Sequence, residues 1–481
     1  MGAITGNEFL HRINQQNTEI WLDGQQVKGP ISEHPAFKGL LKTKASLYDL
    51  QMAPSHSPIM TYASPVSNEQ IGISYLQPKT KADLLKRRVM TEQWARLTCG
   101  LLGRSPDYLN TVIMSFACSS PFLLGKDNCF PEHIQALYER ARENDLSFTH
   151  TFVTPQVNRS MSAFNTSDEP ISAKIIGSTS EGLIIKGAKL LATQGGVTDE
   201  VFVFSTPSFL GDPDEAFAFS IPSDTKGLRF ICRESFVGGE SAFNYPLSSR
   251  FEELDAIVVF DEVIVPWERV FFHHNSEVAA NFFSMSSFHP FATHQVITRQ
   301  IVKTEFLLSL AEQLVQTINA GEYLHIQEKL SEIIIGLETM KALRDKSEAD
   351  AAIDQWGYMC PSPVPLKVAS NIFPKIYPRF SEIIQLIGAS GMVALPTVND
   401  FQSPIQPDLA KYLQGAAKTA EDRVQLFRLA WDLTMSAFGT RQTQYERYFF
   451  GDPVRLAGNL SKSYPKDQGQ DMIDRLLSRY E

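Results

Sequence analysis

Five cysteines are all that the 481 residues contain, at positions 99, 118, 129, 232 and 360. Their number is odd, and no C-x-x-C or His–Cys spacing groups them. That pattern favours a reducing cytoplasm and no zinc or iron–sulfur site. Basic clusters are equally scarce. The formal net charge is −10, and the one basic triplet, Lys86-Arg87-Arg88, reads as the solvated face of a helix. Nucleic acid would call for a basic stripe, so it is not an expected partner. No charged-then-apolar leader is seen, and the longest stretches without formal charge are too polar to span a bilayer. Val278 to Thr298 is broken by Asn281, His289, Pro290 and His294, and Tyr108 to Gly125 by Asn110, Pro121 and three serines. Met1-Gly2 would suit myristoylation, but position 6 is Gly rather than Ser or Thr. Finally, no G-x-G-x-x-G follows a strand-like run and no Walker loop occurs, which removes a Rossmann-type dinucleotide site.

What remains is an ordinary globular composition, 43% hydrophobic and 20% charged, long enough for two or three structural units. Thirty-two phenylalanines suit pockets for flat rings, although cores use Phe as freely. Residues 1–146 read as mostly helical: a helix capped by Thr5, then one over Lys81–Leu102, one starting at Ser105 and one over Pro131–Glu143. From 147 to 275 the period shortens into β-rich runs separated by Gly, Pro, Asn and Asp, ending in a strand that closes on Val265-Pro266. Residues 276–481 return to helix, with Arg299–Gln316, Ile326–Ala352, Pro374–Ile387 and Asp408–Phe438 long enough for a four-helix bundle. The expected class is α+β: a helical N-terminal domain, a middle antiparallel β-barrel domain and a C-terminal helical bundle.

One stretch carries a chemical suggestion of its own. In Gly103-Arg104-Ser105-Pro106-Asp107-Tyr108, Ser caps a helix, Pro fills its first position, and Asp suits the positive end of the dipole. A cation, a phenol and free backbone N–H groups then share one small region, a natural place for an anion. Taken alone, these six letters are better explained by a capped surface helix with an ordinary Arg and Tyr.

The hexapeptide also resembles, in full, a motif of the 4-hydroxyphenylacetate 3-monooxygenase family. Three further stretches match in the same order. They are Thr149-His150-Thr151 with Pro155-Gln156-Val157-Asn158-Arg159, Gly187-Ala188-Lys189 with Ala192-Thr193, and Tyr245-Pro246-Leu247-Ser248-Ser249-Arg250-Phe251. The resemblance runs to about residue 455. It implies an acyl-CoA dehydrogenase-like fold and the oxygenase half of a two-component phenol hydroxylase. Such an enzyme takes reduced FAD from a separate NAD(P)H-dependent flavin reductase, consistent with the missing dinucleotide motif. It hydroxylates a para-substituted phenol at the ortho position, by default 4-hydroxyphenylacetate to 3,4-dihydroxyphenylacetate, through a flavin C4a-hydroperoxide.

The same resemblance implies roles. Arg104, Tyr108 and His150 surround the substrate hydroxyl: Arg104 favours the phenolate, Tyr108 holds it, and His150 accepts its proton. Gln156 and Thr193 face the flavin ring. Ser205 and Thr206 align with substrate-carboxylate contacts, in a loop where members vary. Gly388, Ser390 and Gly391 approach the flavin phosphates from a neighbouring subunit, or simply end a helix. A homotetramer, or at least a dimer, is expected. Two alternatives share the fold. A [4Fe–4S] dehydratase acting on a CoA thioester would need Cys at 99 and 103, and 103 is Gly. An acyl-CoA dehydrogenase would need a carboxylate base rather than an Arg-Tyr-His trio.

Overall fold

The computed structural model describes residues 2–155, 170–205, 212–466 and 469–478. The first helix, Gly6–Gln15, starts at a reciprocal capping box between Thr5 and Glu8. Helices Pro35–Met52, Lys81–Leu97, Pro106–Cys118 and Pro131–Asn144 follow. The third of these five stops earlier than the periodicity suggests, because Cys99 and Gly100 both take positive φ, at 52° and 66°. That turn delivers the chain to Gly103. Helix Pro106–Cys118 is buried at every position, so no polar stripe marks one of its sides.

Two sheets form the middle of the molecule. The larger orders its strands as Gln25–Gln26, Glu19–Leu22, Leu228–Cys232, Asp255–Pro266, Gly182–Thr193 and Lys174–Ser178. The smaller orders Val270–His273, Phe217–Pro222, Glu200–Phe204 and Phe148–Thr151. Antiparallel pairing dominates, as expected, with two departures: Glu19–Leu22 runs parallel to Leu228–Cys232, and Phe148–Thr151 parallel to Glu200–Phe204. Both parallel partners are contributed by chain that arrives from the helical segment. One of the β-rich runs is the long strand Gly182–Thr193, whose register against Asp255–Pro266 slips between Ala256 and Val258. Leu190 and Leu191 oppose Ile257 there, and Leu191 adopts φ 62° and is 59% exposed. A bulge of this kind re-aims a side chain, and here it turns Leu191 out of the sheet.

The C-terminal part packs Phe288–Thr317, Leu324–Ala349 and Pro363–Gly388 against one another. The fourth helix expected over 408–438 is instead broken. Gln406–Tyr412 ends, Ala416 N–H bonds to the Thr317 carbonyl, and Thr419 caps a new helix, Ala420–Thr434. Ser436 then caps Ala437–Tyr448. Between that last helix and Phe288–Thr317 lies a fully buried ionic cluster. Glu446 accepts from Arg299 at 2.7 and 3.1 Å, from Lys303 at 2.8 Å and from Gln300 at 3.0 Å. The overall class is thus α+β, with the order helix, β, helix read from the sequence.

Many of the phenylalanines pack one interior. Phe116 meets Phe202, Phe282 and Phe288 at 4.5–5.7 Å between centroids, and Phe204 meets Phe152 at 5.1 Å and Phe283 at 4.6 Å. This aromatic wall stands behind His150, whose ring lies 5.2 Å from Phe152 and 6.0 Å from Phe204.

Candidate active site

Arg104, Tyr108 and His150 do come together. His150 sits in the edge strand Phe148–Thr151, between two threonines that bond across to strand Gly182–Thr193 of the larger sheet: Thr149 Oγ1 donates to the Thr193 carbonyl at 2.6 Å and Thr151 Oγ1 to that of Leu190 at 2.9 Å. Alternation sends His150 to the opposite face, onto helix Pro106–Cys118. Its ring meets that of Tyr108 edge-on, 5.8 Å away at 81°. The guanidinium of Arg104 lies 4.3 Å from the centroid of Tyr108 and 4.2 Å from that of Phe449, held between two π faces. All three residues are buried, at 8%, 3% and 3% exposure for Arg104, Tyr108 and His150.

Burial, and then the nearby Arg104 charge, push the His150 imidazole down to about 3, so it is neutral at physiological pH. Burial raises the Tyr108 phenol, with Arg104 opposing, so it remains a donor. Among the described residues, three buried polar atoms in this cluster have no protein partner: Arg104 Nε, His150 Nδ1 and Tyr445 Oη. Buried polar atoms are normally satisfied, and three together mark a place that a polar ligand completes.

The helix start behaves differently from its letters. Pro106 takes the first helical position, but the Ser105 hydroxyl donates to the Asp107 carboxylate at 2.5 Å instead of capping the backbone. The anion expected beside this helix start is the protein's own. Glu253 accepts the N–H groups of Gly103 and Arg104, both at 2.8 Å.

Helix Ala437–Tyr448 supplies the residues that the sequence reading left without a role. Arg441, Tyr445 and Phe449 recur every four residues and so share one face. Arg441 stacks on Tyr445 at 4.1 Å, Tyr445 meets Phe449 at 5.4 Å, and both rings reach Arg104. That i, i+4, i+8 spacing of a cation and two aromatics was the available signal.

Alongside lies a cavity of about 870 Å³ with apolar walls that include Leu191, Ile231, Phe236 and Ile257, and polar edges from Asp255 and Arg441. Asp255 receives Arg441 at 2.7 and 3.0 Å, Arg233 at 3.2 Å and Thr193 Oγ1 at 2.8 Å. Burial would raise the Asp255 carboxyl, but Arg441 and then Arg233 hold it at about 2. Thr193 thus links Asp255, which lines the cavity, to Thr149, the neighbour of His150 in sequence.

The remaining expected site residues are placed as follows. Ser205 is buried, and its hydroxyl bonds to the Phe217 carbonyl and N–H, both at 2.8 Å, and to the Glu215 carbonyl. Gln156 and Thr206 lie outside the described residues. Gly388 ends helix Pro363–Gly388, and Ser390 and Gly391 lie in the 3₁₀ turn that follows. A Cβ on Gly388 would meet Met392 Sδ at 2.1 Å, and one on Gly391 would meet the Phe427 ring at 2.7 Å, so both are packed glycines. Among the described residues, no hydrogen bond joins these three to the trio within one chain.

Family patterns described as 4-hydroxyphenylacetate 3-hydroxylase N terminal and C terminal match residues 5–272 and 279–478. The chain belongs to this family. It is 63% identical over 477 residues, 99% of either chain, to a probable 4-hydroxyphenylacetate 3-monooxygenase of Bacillus subtilis (strain 168). To the 4-hydroxyphenylacetate 3-monooxygenase oxygenase component of Thermus thermophilus it is 42% identical over 476 residues, 99% of this chain and 97% of the other. A crystal structure of such an oxygenase component complexed with FAD and 4-hydroxyphenylacetate superposes with a TM-score of 0.95, at 41% identity over 99% of both chains. A 4-hydroxybutyryl-CoA dehydratase of N. maritimus shares the fold, with a TM-score of 0.86 at 19% identity over 99% of this chain and 95% of the other. The hydroxylase chain leaves no room for a cysteine at 103. A Cβ on Gly103 would lie 2.2 Å from the Tyr445 ring.

Proposed function

We propose that this chain is the oxygenase component of a two-component phenol hydroxylase. It uses reduced FAD and O2 to convert a para-substituted phenol, by default 4-hydroxyphenylacetate, to the corresponding catechol. The observation that carries this is the cluster of buried, unpartnered atoms, Arg104 Nε and His150 Nδ1, against the Tyr108 ring.

The residues fit the cofactor. A flat tricyclic ring wants apolar faces and a few polar groups at its edge, which the 870 Å³ cavity offers through Leu191, Ile257, Asp255 and Arg441, with Thr193 bonded to Asp255. Reduced FAD bound there supplies, with O2, the electrophilic oxygen. The protein's own part is to prepare the phenol. His150 Nδ1, neutral at working pH, accepts the hydroxyl proton. Arg104, fixed between Tyr108 and Phe449, favours the phenolate, whose ortho carbon is the better nucleophile, and the Tyr108 hydroxyl holds the phenolate oxygen. The aromatic wall of Phe152 and Phe204 excludes water behind His150. Gln156, and the para-substituent contacts of Ser205 and Thr206, complete the assignment. The thioester alternative lacks support, because Glu253 and Asp255 are both tied to Arg441 and further donors rather than free as a base.

A separate NAD(P)H:flavin reductase delivers the flavin by diffusion. The chain works in the cytoplasm as a homotetramer in which Gly388, Ser390 and Gly391 of one subunit face the flavin phosphates of another. Exposed Tyr323, Leu324, Val393 and Tyr412, between 60 and 81% accessible, suit buried subunit contacts. The units are residues 1–146, 147–275 and 276–481. Chemically reduced FAD and O2, offered with a panel of para-substituted phenols, test the activity by catechol formation. NAD(P)H and FAD alone should give none until a reductase is added. Catechol from NAD(P)H without one would overturn the division of labour, and no catechol from any phenol would overturn the function.

A further inference from the structure

We infer that Glu253 is a positioning residue that fixes Arg104 and ties it to the wall of the adjoining cavity. The inference rests on the phenol site proposed above. Glu253 is fully buried, and its hydrogen bond to the trio goes to the Arg104 backbone N–H. Its carboxylate collects donors from three directions: the backbone N–H groups of Gly103 and Arg104 at 2.8 Å each, Gln194 Nε2 at 2.8 Å, and Arg441 Nη1 at 3.5 Å. Gln194 Nε2 also donates to the Arg104 carbonyl at 2.9 Å. The N–H and C=O of Arg104 are therefore pinned by one carboxylate–amide pair. Gln194 reaches this place by taking φ 62° immediately after strand Gly182–Thr193, an uncommon backbone state for a residue with a side chain.

The other end of the arrangement is the cavity. Glu253 and Asp255, two residues apart, divide the Arg441 guanidinium between them: Asp255 takes Nε and Nη2, and Glu253 takes Nη1. Asp255 and Arg441 line the cavity, and Thr193 Oγ1 bonds to Asp255. A ligand that moves Arg441 in the cavity thus pulls on the carboxylate that holds Arg104. Four donors converge on Glu253, so the charge-neutral Gln cannot replace it: its NH2 group would face an N–H. Without the anchor, the guanidinium loses its fixed place between Tyr108 and Phe449.

The test uses full-length protein with reduced FAD and 3-fluoro-4-hydroxyphenylacetate under argon, with ¹⁹F chemical shift against pH reporting ionisation of the bound phenol. Arg104→Ala should raise the bound phenol's pKa by about one unit or more, the scale of one lost opposite charge. Glu253→Gln should raise it in the same direction, and should add little in the Arg104→Ala background, because both act through one guanidinium. Gln194→Met, which keeps every charge, should give a smaller rise and serves if Glu253→Gln does not fold. A crystal structure of either variant should find Arg104 displaced from Phe449. An unchanged pKa, additive effects, or a pKa that falls on loss of the carboxylate would overturn the inference. If the probe shows no Arg104-dependent shift at all, the phenol site itself is misplaced and the inference falls with it.

Discussion

The His150 imidazole stands edge-on to the Tyr108 ring, 5.8 Å between centroids at 81°, and its Nδ1 has no protein partner among the described residues. Burial and the Arg104 charge hold this group neutral down to about pH 3, so it needs no prior deprotonation, but the same depression weakens it as a base unless the charge of the bound phenolate offsets it. His150→Ala should cut catechol formation at pH 7 by about 10²–10⁴-fold, the usual weight of a general base. Activity should partly recover as pH rises and solvent removes the phenol proton. Wild-type protein should show no loss centred near 6.5. An equally active, fully coupled His150→Ala enzyme at pH 7 would sink the role given to this histidine.

Arg104→Ala and Tyr108→Phe should separate flavin oxidation from hydroxylation. Both residues act on the phenol, so the variants should still consume reduced FAD and O2 but release hydrogen peroxide in place of catechol. Tyr108→Phe should be the milder, because one hydrogen bond to a charged group is worth roughly 1.5–3 kcal/mol. The ratio of peroxide to catechol is the measurement. A Tyr108→Phe enzyme less coupled than Arg104→Ala would reverse the assignment.

Long-range closure separates what the sequence made legible from what it did not. Helix Pro131–Asn144 and the Thr5 capping box follow local rules, and the chain obeys them. Arg104, Tyr108 and His150 were legible because two short stretches carry all of them. Glu253, Gln194 and Arg441 lie 59 to 188 positions from their partners in the same cluster, and nothing local announces a bond across such distances. The strand Glu19–Leu22 was hidden for the same reason: its partner is Leu228–Cys232. The broken helix after 412 depends on an N–H from Ala416 finding the Thr317 carbonyl, which helical propensity does not encode.

The cluster around Glu446 should be the most sensitive ionic site for stability. Burial would raise the Glu446 carboxyl, but Arg299 and Lys303 hold it well below the usual range, while burial brings Lys303 down to about 8. Glu446→Ala strands two buried cations, and removal of one partner from such a site costs about 3–5 kcal/mol. Lys303→Met leaves Arg299 to pair with Glu446 and should cost less. Urea unfolding of both variants checks the order, and equal midpoints would refute it.

The depressed His150 imidazole also sets a sign for stability against pH. In the unfolded chain this group titrates near 6.5, whereas in the folded chain it resists protonation until about 3. Between those values the unfolded state holds one more proton, so acid favours unfolding, and above about 7 the contribution vanishes. Other buried groups titrate in the same range, so the informative quantity is a difference from His150→Asn. Wild-type minus variant stability should be level above pH 7 and should fall on acidification, by at most about 1.4 kcal/mol per unit. Arg104 contributes to the depression, so in an Arg104→Gln background the fall should begin at the same pH and end at a higher one. Urea midpoints at pH 7.5, 6.5 and 5.5 decide the fall, and further midpoints down to about pH 3 decide where it ends. A difference that stays constant, or grows in acid, would mean that His150 is protonated inside the folded protein and is not the waiting base.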